Sequence, residues 1–275
     1  MPPVFRQAIA VSLLAALSLA PAPQAPPKTL FADEFTGTSL DRAKWNVIVT
    51  GSGWHTVNNE QQAYIDSPDV LSVGDGVLAI RPRVRRGFKT PDGATFDFVS
   101  GRLDTRGRFD FTYGTAAARM KLVDGAGLWP AFWALGNGRW PGTGEIDVME
   151  NVGDPAWTSA ALHGPGYFGD TPLVKRAPVD VTGWHVYSVD WTAGLLVFRI
   201  DGAEIYRVTK ADVETHGRWA FDNPKHLILN LALGGAYPHG VNKIDQPYPG
   251  LAQSTVDAIA GDQVAILVDW VRVTQ

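Results

Sequence analysis

The sequence predicts an all-β fold, a sandwich of two antiparallel sheets of the jelly-roll type. The composition combines 29 Gly and 19 Pro with ten Trp, seven Tyr and twelve Phe, which is typical of strands joined by tight turns. Short segments of alternating polarity recur between turn signals, and helical periodicity is nearly absent. A β-propeller would need a repeated blade motif, and none is visible in the sequence.

The predicted elements follow one another from residue 30 onward without a linker or an internal repeat, so we expect one domain over residues 30–275. The strongest local signal is a β-hairpin around Asp201-Gly202, a dipeptide that favours two-residue turns. One helical turn is predicted at 210–215. The predicted strands are 77–80, after the turn Gly74-Asp75-Gly76, and 184–191, 195–200, 203–208, 226–233 and 264–273.

The first 25 residues predict a signal peptide. Arg6 supplies a positive charge, and the apolar run at 8–20 is shorter than the roughly 20 residues that a membrane span needs. Small residues and prolines follow, and residues 26–29 form a short Pro-rich spacer ahead of the domain. A buried N-terminal helix is the alternative interpretation. We expect a secreted, extracellular protein without membrane attachment after signal cleavage.

Charge and cysteine content exclude several function classes. The formal net charge is −4, and without a basic patch or a run of like charges the sequence argues against nucleic acid or an anionic membrane as a partner. The chain contains no cysteine. This excludes a disulfide scaffold, a thiolate zinc site, a cysteine nucleophile and an acylated lipoprotein cysteine.

Residues 144–151 (GEIDVMEN) contain the candidate catalytic residues. On a strand, Glu145 and Asp147 face one way and the aliphatic residues beside them face the other. A regular strand would turn Glu150 into the core, but a single β-bulge near Val148-Met149 returns it to the acidic side. Three carboxylates on one side repel one another, which indicates a functional use. A solvent-facing acidic strand and a hard-metal site built from the same oxygens are the alternatives.

The spacing of the two glutamates suits glycoside chemistry. With the bulge, Glu145 and Glu150 are about 13 Å apart along the strand, and their side chains can lean toward each other. A retaining glycosidase needs about 5 Å between its two carboxyl groups. Asp147 lies between them, where it can hydrogen-bond one carboxyl and keep the other protonated through its charge.

Tryptophans are concentrated just ahead of the acidic segment, at Trp129, Trp133 and Trp140. Aromatic faces stack on sugar rings, whereas burial in the core is the alternative for any one of these residues. We expect Trp133 to be a core residue.

The tryptophan-rich block and the acidic segment resemble the active-site block of glycoside hydrolase family 16, in its branch of bacterial laminarinase-like endo-β-1,3-glucanases. The resemblance covers residues 30–275 and implies a concanavalin A-like jelly roll with a concave substrate cleft. Residues 85–95 and 238–260 match no family segment. The segments that carry the resemblance, in addition to 144–150, are 127–133 (GLWPAFW), Trp140-Pro141, 31–35 (FADEF), Asn59-Glu60, 100–103 (SGRL), 163–166 (HGPG), 229–232 (LNLA) and 268–273 (VDWVRV).

The resemblance implies an endo-acting enzyme that hydrolyses β-1,3 bonds of laminarin-like glucans by double displacement, with a β-glucan as its partner. Glu145 matches the nucleophile, Asp147 the assisting carboxylate and Glu150 the acid/base. Mixed-linkage glucan, a sulfated galactan and transglycosylation are alternatives within this class. A non-catalytic glucan-binding protein on the same fold is the alternative from another class, against which the intact acid trio argues. We expect a monomer.

The resemblance also implies residues that contact the substrate. A satisfied core histidine, or an asparagine bonded to backbone at a bulge, is the alternative for two of them, His163 and Asn230. The matching positions are Trp129 and Trp140 near the cleavage site, His163 beside the sugar at the −1 position, and Asn59, Glu60 and Asn230 at sugar hydroxyls.

No cofactor is expected for the chemistry, but the resemblance implies a structural calcium ion away from the site. The matching positions are Glu34, the backbone of Gly76 and Asp269. The alternative for Asp269 is an ordinary acid at a strand end.

Overall fold

The computed structural model describes Met1 and residues 26–275. Apart from Met1, the predicted signal peptide at 1–25 lies outside the described residues and stays a prediction. Between residues 26 and 275, no helix is long and apolar enough to cross a bilayer. This part of the chain forms two large antiparallel sheets, a small third sheet and three short helices.

A seven-stranded antiparallel sheet contains the acidic segment in its central region. Its strands, numbered in chain order and given in spatial order, are β13 (Leu173–Pro178), β12 (Trp157–His163), β11 (Glu145–Glu150), β10 (Leu128–Gly136), β17 (Lys225–Leu233), β8 (Arg102–Asp104) and β2 (Asn46–Val47).

An eight-stranded antiparallel sheet forms the second layer. Its strands in spatial order are β16 (Ala203–Thr209), β15 (Leu195–Ile200), β14 (Trp184–Thr192), β9 (Gly114–Lys121), β18 (Ile266–Thr274), β5 (Val77–Ile80) and β4 (Leu71–Gly74), with β1 (Thr29–Asp33) also paired to β18.

The third sheet contains the one parallel pair among the described strands. It consists of β3 (Gln62–Tyr64), β7 (Thr95–Ser100) and β6 (Arg83–Lys89), and β3 runs parallel to β7. The helices are α1 (Lys210–Glu214), α2 (Ala236–Asn242) and α3 (Gln253–Ala260).

The predicted two-sheet sandwich is confirmed, and each predicted strand coincides with an observed one to within one or two residues. In the hairpin between β15 and β16, Asp201 and Gly202 have φ values of 50° and 81°, the left-handed conformation that such two-residue turns require. The helical turn after β16 is α1. Helices α2 and α3 were missed because they are short. The sequence of α2 also contains Pro238 and Gly240, which argue against a helix.

The core between the two large sheets fixes the orientation of the central strands. Phe132 of β10 and Ile146 and Met149 of β11 are buried in one apolar cluster with Tyr187 and Phe198 of the eight-stranded sheet. Burial of one such side chain contributes about 1.5–3 kcal/mol, and truncating Phe132 to Ala would cost about 3–5 kcal/mol. Because one face of β11 is held in this core, its other face points away from the core.

Candidate active site

Strand β11 contains a β-bulge at Val148. Asp147 and Met149 pair with two consecutive residues of β10, so Val148 between them has no partner, and the pairing with β12 shifts over the same stretch. The extra residue brings Glu150 to the side of the strand that carries Glu145 and Asp147. The predicted bulge is confirmed, and we call this side of the seven-stranded sheet the acidic face.

Two tryptophan indoles hydrogen-bond the two glutamates. Nε1 of Trp129, on β10, donates to Oε1 of Glu150 at 2.8 Å. Nε1 of Trp140, in the loop between β10 and β11, donates to Oε2 of Glu145 at 3.0 Å, and its side chain is exposed. Both predicted tryptophans therefore lie at the acidic face, one beside each end of the acidic segment.

His163 lies beside Glu145 and Asp147. It ends β12 directly opposite Glu145, and its Nε2 is 3.3 Å from Oδ2 of Asp147 and 3.8 Å from Oε1 of Glu145. Its ring also lies 6.3 Å from that of Trp140. Nδ1 of His163 and Oδ2 of Asp147 are buried without a hydrogen-bond partner among the described residues. Leaving such groups unpaired costs stability, which indicates a use other than folding.

The three carboxyl groups hold protons more tightly than isolated side chains do. Burial raises the pKa of Glu145 to about 8, and the charge of Asp147 adds to this rise. Burial and the charge of Glu150 raise the pKa of Asp147 well above its ordinary value. Burial also raises the pKa of Glu150, although the hydrogen bond from Trp129 opposes the rise. At neutral pH the acidic face therefore carries fewer than three negative charges.

The expectation that Trp133 is a core residue was wrong. Trp133 is only partly buried and lies on the acidic face directly opposite Asp147. Its ring stacks on the guanidinium of Arg102, which lies 4.9 Å from the Trp133 ring centre and 4.8 Å from that of Trp54. The sequence contained the signal, because Trp129 and Trp133 are four residues apart on one strand and so share a face.

Two of the predicted polar contacts bond to other protein groups beside this stack. Oε2 of Glu60 accepts from Nε2 of Gln62 at 2.8 Å and from the hydroxyl of Tyr64 at 3.3 Å. Oδ1 of Asn230 accepts from Nε1 of Trp133 at 2.8 Å. These contacts hold the aromatic residues of the acidic face in place, and direct contact of either side chain with a sugar stays a prediction.

Asn59 is exposed, in a left-handed conformation with φ of 56°. Its backbone lies against the start of α2, where a Cβ added to Gly235 would meet backbone atoms of Asn59 and its neighbours. The carbonyl of Asn59 accepts from Nε2 of Gln61. Contact of the Asn59 side chain with substrate stays a prediction.

Tyr237 was not foreseen as a residue of this face. Its ring packs edge-on against Trp129 at 5.5 Å, and its hydroxyl lies 3.4 Å from Oγ of Ser159, which is opposite Glu150 on β12. Tyr237 is in α2, just before residues 238–260, and none of the sequence patterns pointed to it.

Two of the three members of the expected calcium site, the carboxylates of Glu34 and Asp269, are paired with arginines. Arg272 binds both carboxylate oxygens of Glu34, at 2.7 and 2.8 Å, and Nη1 of Arg119 lies 2.6 Å from Oδ2 of Asp269. Two guanidinium groups at the carboxylates do not fit the all-oxygen shell that Ca²⁺ takes. Calcium binding stays a prediction, which the melting temperature with and without a chelator would test.

Within residues 26–275, three acidic or histidine side chains with ligand atoms within 4.8 Å of one another occur at the acidic face, namely Glu145, Asp147 and His163. The arrangement has the donors of a cation site, but it also has the carboxylate pair of a glycosidase. The β-bulge and the indole of Trp129 involve Glu150 as well, which a site built from Glu145, Asp147 and His163 does not use.

A pair of carboxyl groups at one face is the arrangement that glycoside hydrolases use. Comparison with known proteins gives the family. The family model "Glycosyl hydrolases family 16" matches residues 46–247, which include all of β10 and β11. The chain therefore belongs to glycosyl hydrolase family 16 and is a glycoside hydrolase.

Relatives and a solved structure agree with this assignment. The chain is 35% identical to a β-glucanase of Rhodothermus marinus, over 84% of this chain and 83% of that protein. It is 32% identical to glucan endo-1,3-β-glucosidase A1 of Niallia circulans, over 77% of this chain but only 34% of that longer protein. The structure of an endo-β-1,3-glucanase from Pyrococcus furiosus superposes with a TM-score of 0.79 and 31% identity, covering 90% of this chain and 94% of that one.

Proposed function

We propose that this glycoside hydrolase is a secreted endo-β-1,3-glucanase that cleaves laminarin-like β-glucans with net retention. The β-1,3 preference is supported by the named activities of the Niallia circulans relative and the Pyrococcus furiosus structure. Secretion is supported by the charge and apolar pattern of residues 1–25.

One observation carries the mechanism, namely the bulge at Val148, which puts Glu145 and Glu150 on the same side of β11. Without it, Glu150 would lie in the core and only one glutamate could reach a substrate. With it, one carboxyl can attack an anomeric carbon while the other protonates the leaving oxygen, as a retaining enzyme requires.

In the proposed first step, an oxygen of Glu145 attacks the anomeric carbon as the bond to the leaving sugar breaks. Glu150 donates its proton to that glycosidic oxygen, and a covalent glycosyl-enzyme forms. In the second step, Glu150 takes a proton from water, which attacks the same carbon and releases Glu145. Two inversions at one carbon give net retention.

The first of these two reaction steps needs Glu145 ionised and Glu150 protonated. The raised pKa of all three carboxyls supplies a proton, and the mutual repulsion between Asp147 and Glu150 makes them share it. The indole of Trp140 and the imidazole of His163 favour the ionised form of Glu145, while burial and the charge of Asp147 hold its pKa at about 8, so ionised Glu145 is the minor form in the free enzyme at neutral pH. A glycosidic oxygen that accepts a hydrogen bond from Glu150 would draw the shared proton to that residue.

Mixed-linkage glucan, a sulfated galactan and transglycosylation stay alternatives within the family. A glucan-binding protein without catalysis is disfavoured, because binding alone gives no use for three buried carboxyl groups whose pKa values are raised.

Reducing-end release from laminarin, mixed-linkage glucan, agarose and carrageenan, measured side by side, tests the substrate. We expect laminarin to be cleaved fastest, with the β-anomer as the first product in a proton NMR time course. Release from agarose or carrageenan alone would contradict the proposed substrate, and an α-anomer as the first product would contradict retention.

Export is tested separately. A bacterium expressing the whole chain should accumulate a shortened form outside the cytoplasm, and deleting residues 1–25 should keep the protein inside. Recovery of the uncut chain in the cytoplasm would contradict the signal peptide.

A further inference from the structure

Lys225, the first residue of β17, is fully buried between the two sheets, with 0% of its surface exposed. Its ammonium group lies 5.6 Å from the ring centre of Trp191 and 5.5 Å from that of Phe221. Lysine is seldom fully buried, because removing its charge from water is costly. A lysine in this position needs an explanation beyond solubility.

The ammonium group hydrogen-bonds three oxygens from two loops. Nζ of Lys225 donates to the carbonyl of Thr143 at 2.5 Å, to the carbonyl of Ala220 at 3.2 Å and to Oδ1 of Asn223 at 3.3 Å. All three of its protons therefore have acceptors, and no carboxylate is within ion-pair distance of it among the described residues.

The two loops meet at the entry to the catalytic strand. Thr143 lies two residues before Glu145, in the loop that also carries Trp140. A Cβ added to Gly144 would lie 2.4 Å from the carbonyl of Ala220, so the loops are in close contact at this point. From the outside, Nη2 of Arg218 donates to the carbonyl of Gly142 at 2.6 Å. Two cations thus hold consecutive carbonyls of the loop that leads into β11.

The pKa of Lys225 lies near neutral pH. Burial lowers its pKa to about 7, against the opposing effect of Asp222 and Glu145, the two charged side chains whose fields act on it. The protonated form predominates below this value, so the full set of three donors is present on the acid side of neutrality.

We propose that Lys225 is a positioning residue for catalysis, which fixes the Trp140 loop and the start of β11 by holding the carbonyls of Thr143 and Ala220 together from inside the core. The inference rests on the proposed role of Glu145 as nucleophile. Lys225 does not contact the substrate. It fixes the positions of the Glu145 carboxylate and the Trp140 indole.

The test compares wild type with Lys225→Met, which keeps the length of the side chain and removes its donors. We expect Lys225→Met to lower kcat about 10- to 100-fold, because small displacements of a catalytic group cost this much. The loss should be the same on laminarin and on an aryl β-glucoside with an acidic phenol, since both depend on Glu145. It should also be largest near pH 6 and shrink at about pH 9, where the wild-type lysine has lost its charge.

The control is Leu78→Ala, a fully buried residue of β5 in the other sheet, three strands from the β14 strand that carries Trp191, and it should lower the melting temperature. It should leave kcat within about twofold of wild type at temperatures where it is folded. A folded Lys225→Met with wild-type kcat, or with a loss that does not vary with pH, would overturn the inference. A wild type that cleaves no β-glucan would instead contradict the proposed function.

A second variant guards against a Lys225→Met protein that does not fold. Arg218 is exposed, so Arg218→Met should fold and release one carbonyl of the same loop. A fall in kcat of about two- to fivefold with the melting temperature unchanged supports positioning through this loop. An unchanged kcat in this variant would contradict positioning through this loop.

Discussion

The acidic residues at the two large sheets differ in how their charge is balanced. Beside the eight-stranded sheet, Glu34 is bound at both oxygens by Arg272 and Asp269 is paired with Arg119. Arg272 lowers the pKa of Glu34 below its usual value. At the acidic face of the seven-stranded sheet, the three carboxyls have no arginine or lysine partner among the described residues, and their pKa values are raised.

Under the proposed function, this difference separates carboxylates that stabilise the fold from carboxylates that take part in the reaction. An arginine-paired carboxylate stays ionised and adds a little stability, so its presence on a surface needs no functional explanation. Three carboxyl groups packed together without a cation lower the stability of the fold when they ionise. Such clusters are found at functional sites, where their protons take part in the chemistry. The same residue types thus have opposite effects on folding at the two sheets, which gives several ways to test the comparison.

The largest effect is expected at the two glutamates. Glu145→Ala should lower laminarin hydrolysis by at least about 10³-fold, because the nucleophile is gone, and should lower cleavage of an activated aryl glycoside as strongly. Glu150→Ala should lose laminarin hydrolysis by about 10²–10⁴-fold but keep most of its kcat/KM on an aryl glycoside whose leaving group needs no proton, while kcat on that substrate falls because Glu150 also activates the water of the second step. Steady-state kinetics on both substrates checks this. Equal losses on the aryl glycoside would contradict the two assigned roles.

Asp147→Asn should have an intermediate effect. We expect a rate about 10- to 100-fold lower with retention preserved. Without its charged neighbour the pKa of Glu150 falls, so the alkaline limb of the pH profile should move to lower pH. Asp33→Asn is the matched control. Asp33 is a buried aspartate that accepts a hydrogen bond from Nε1 of Trp45 in the core, and its substitution should leave the position of that limb unchanged. An unmoved limb in Asp147→Asn would contradict the coupling.

A smaller effect is expected at Trp140, whose side chain is 43% exposed. Trp140→Ala should lower kcat/KM on laminarin about five- to tenfold, since an aromatic contact contributes on the order of 1 kcal/mol. Trp140→Phe should recover the part that comes from stacking but not the part from the hydrogen bond to Glu145. Unchanged kcat/KM in Trp140→Ala would show that this ring does not contact the glucan.

The smallest effect is on stability, and its sign distinguishes the two sheets. The folded-state pKa of Glu145 is raised from 4.5 to about 8, so between these pH values the folded state binds more protons and loses stability as pH rises. Glu145→Gln should therefore raise the melting temperature by about 2–8 °C near pH 8, with no gain near pH 4.

Glu34→Gln is the control at the other sheet. Its folded-state pKa is lowered, so its contribution is present above pH 4.5 and is lost as pH falls through the folded pKa. Because the Glu34 side chain is 42% exposed, we expect the melting temperature to fall at neutral pH by an amount equivalent to less than about 1 kcal/mol. Thermal unfolding of both variants across pH decides the point, and a destabilised Glu145→Gln at pH 8 would contradict the comparison.

Local patterns predicted much of the fold and the arrangement of the three acids on β11. The hairpin at Asp201-Gly202 and the alternation of residues 184–191 are short-range signals, and short-range signals are what a sequence displays directly. The bulge at Val148 followed from the spacing of three acids on one strand. Trp133 was misassigned although its spacing from Trp129 placed both on one face, because a lone tryptophan was read as a core residue.

The remaining parts of the site depend on contacts between distant segments. Tyr237 reaches Trp129 from a helix that begins about 100 residues further along the chain, and Arg102 meets Trp54 and Trp133 only through the order of strands in the sheet. From the sequence, Lys225 is expected to be an exposed polar residue at the start of a strand, and only the packing of the sheets shows that it is buried. No periodicity in the sequence predicts these long-range contacts.

The most direct test of the central claim is the configuration of the azides formed by the two alanine variants. With an activated β-glycosyl fluoride, Glu145→Ala should give the α-glycosyl azide, because azide attacks from the side where the nucleophile stood. With an activated aryl β-glycoside, Glu150→Ala should give the β-azide, because azide then attacks the glycosyl-enzyme formed by Glu145. Azides of the same configuration from both variants would contradict the assignment of Glu145 and Glu150.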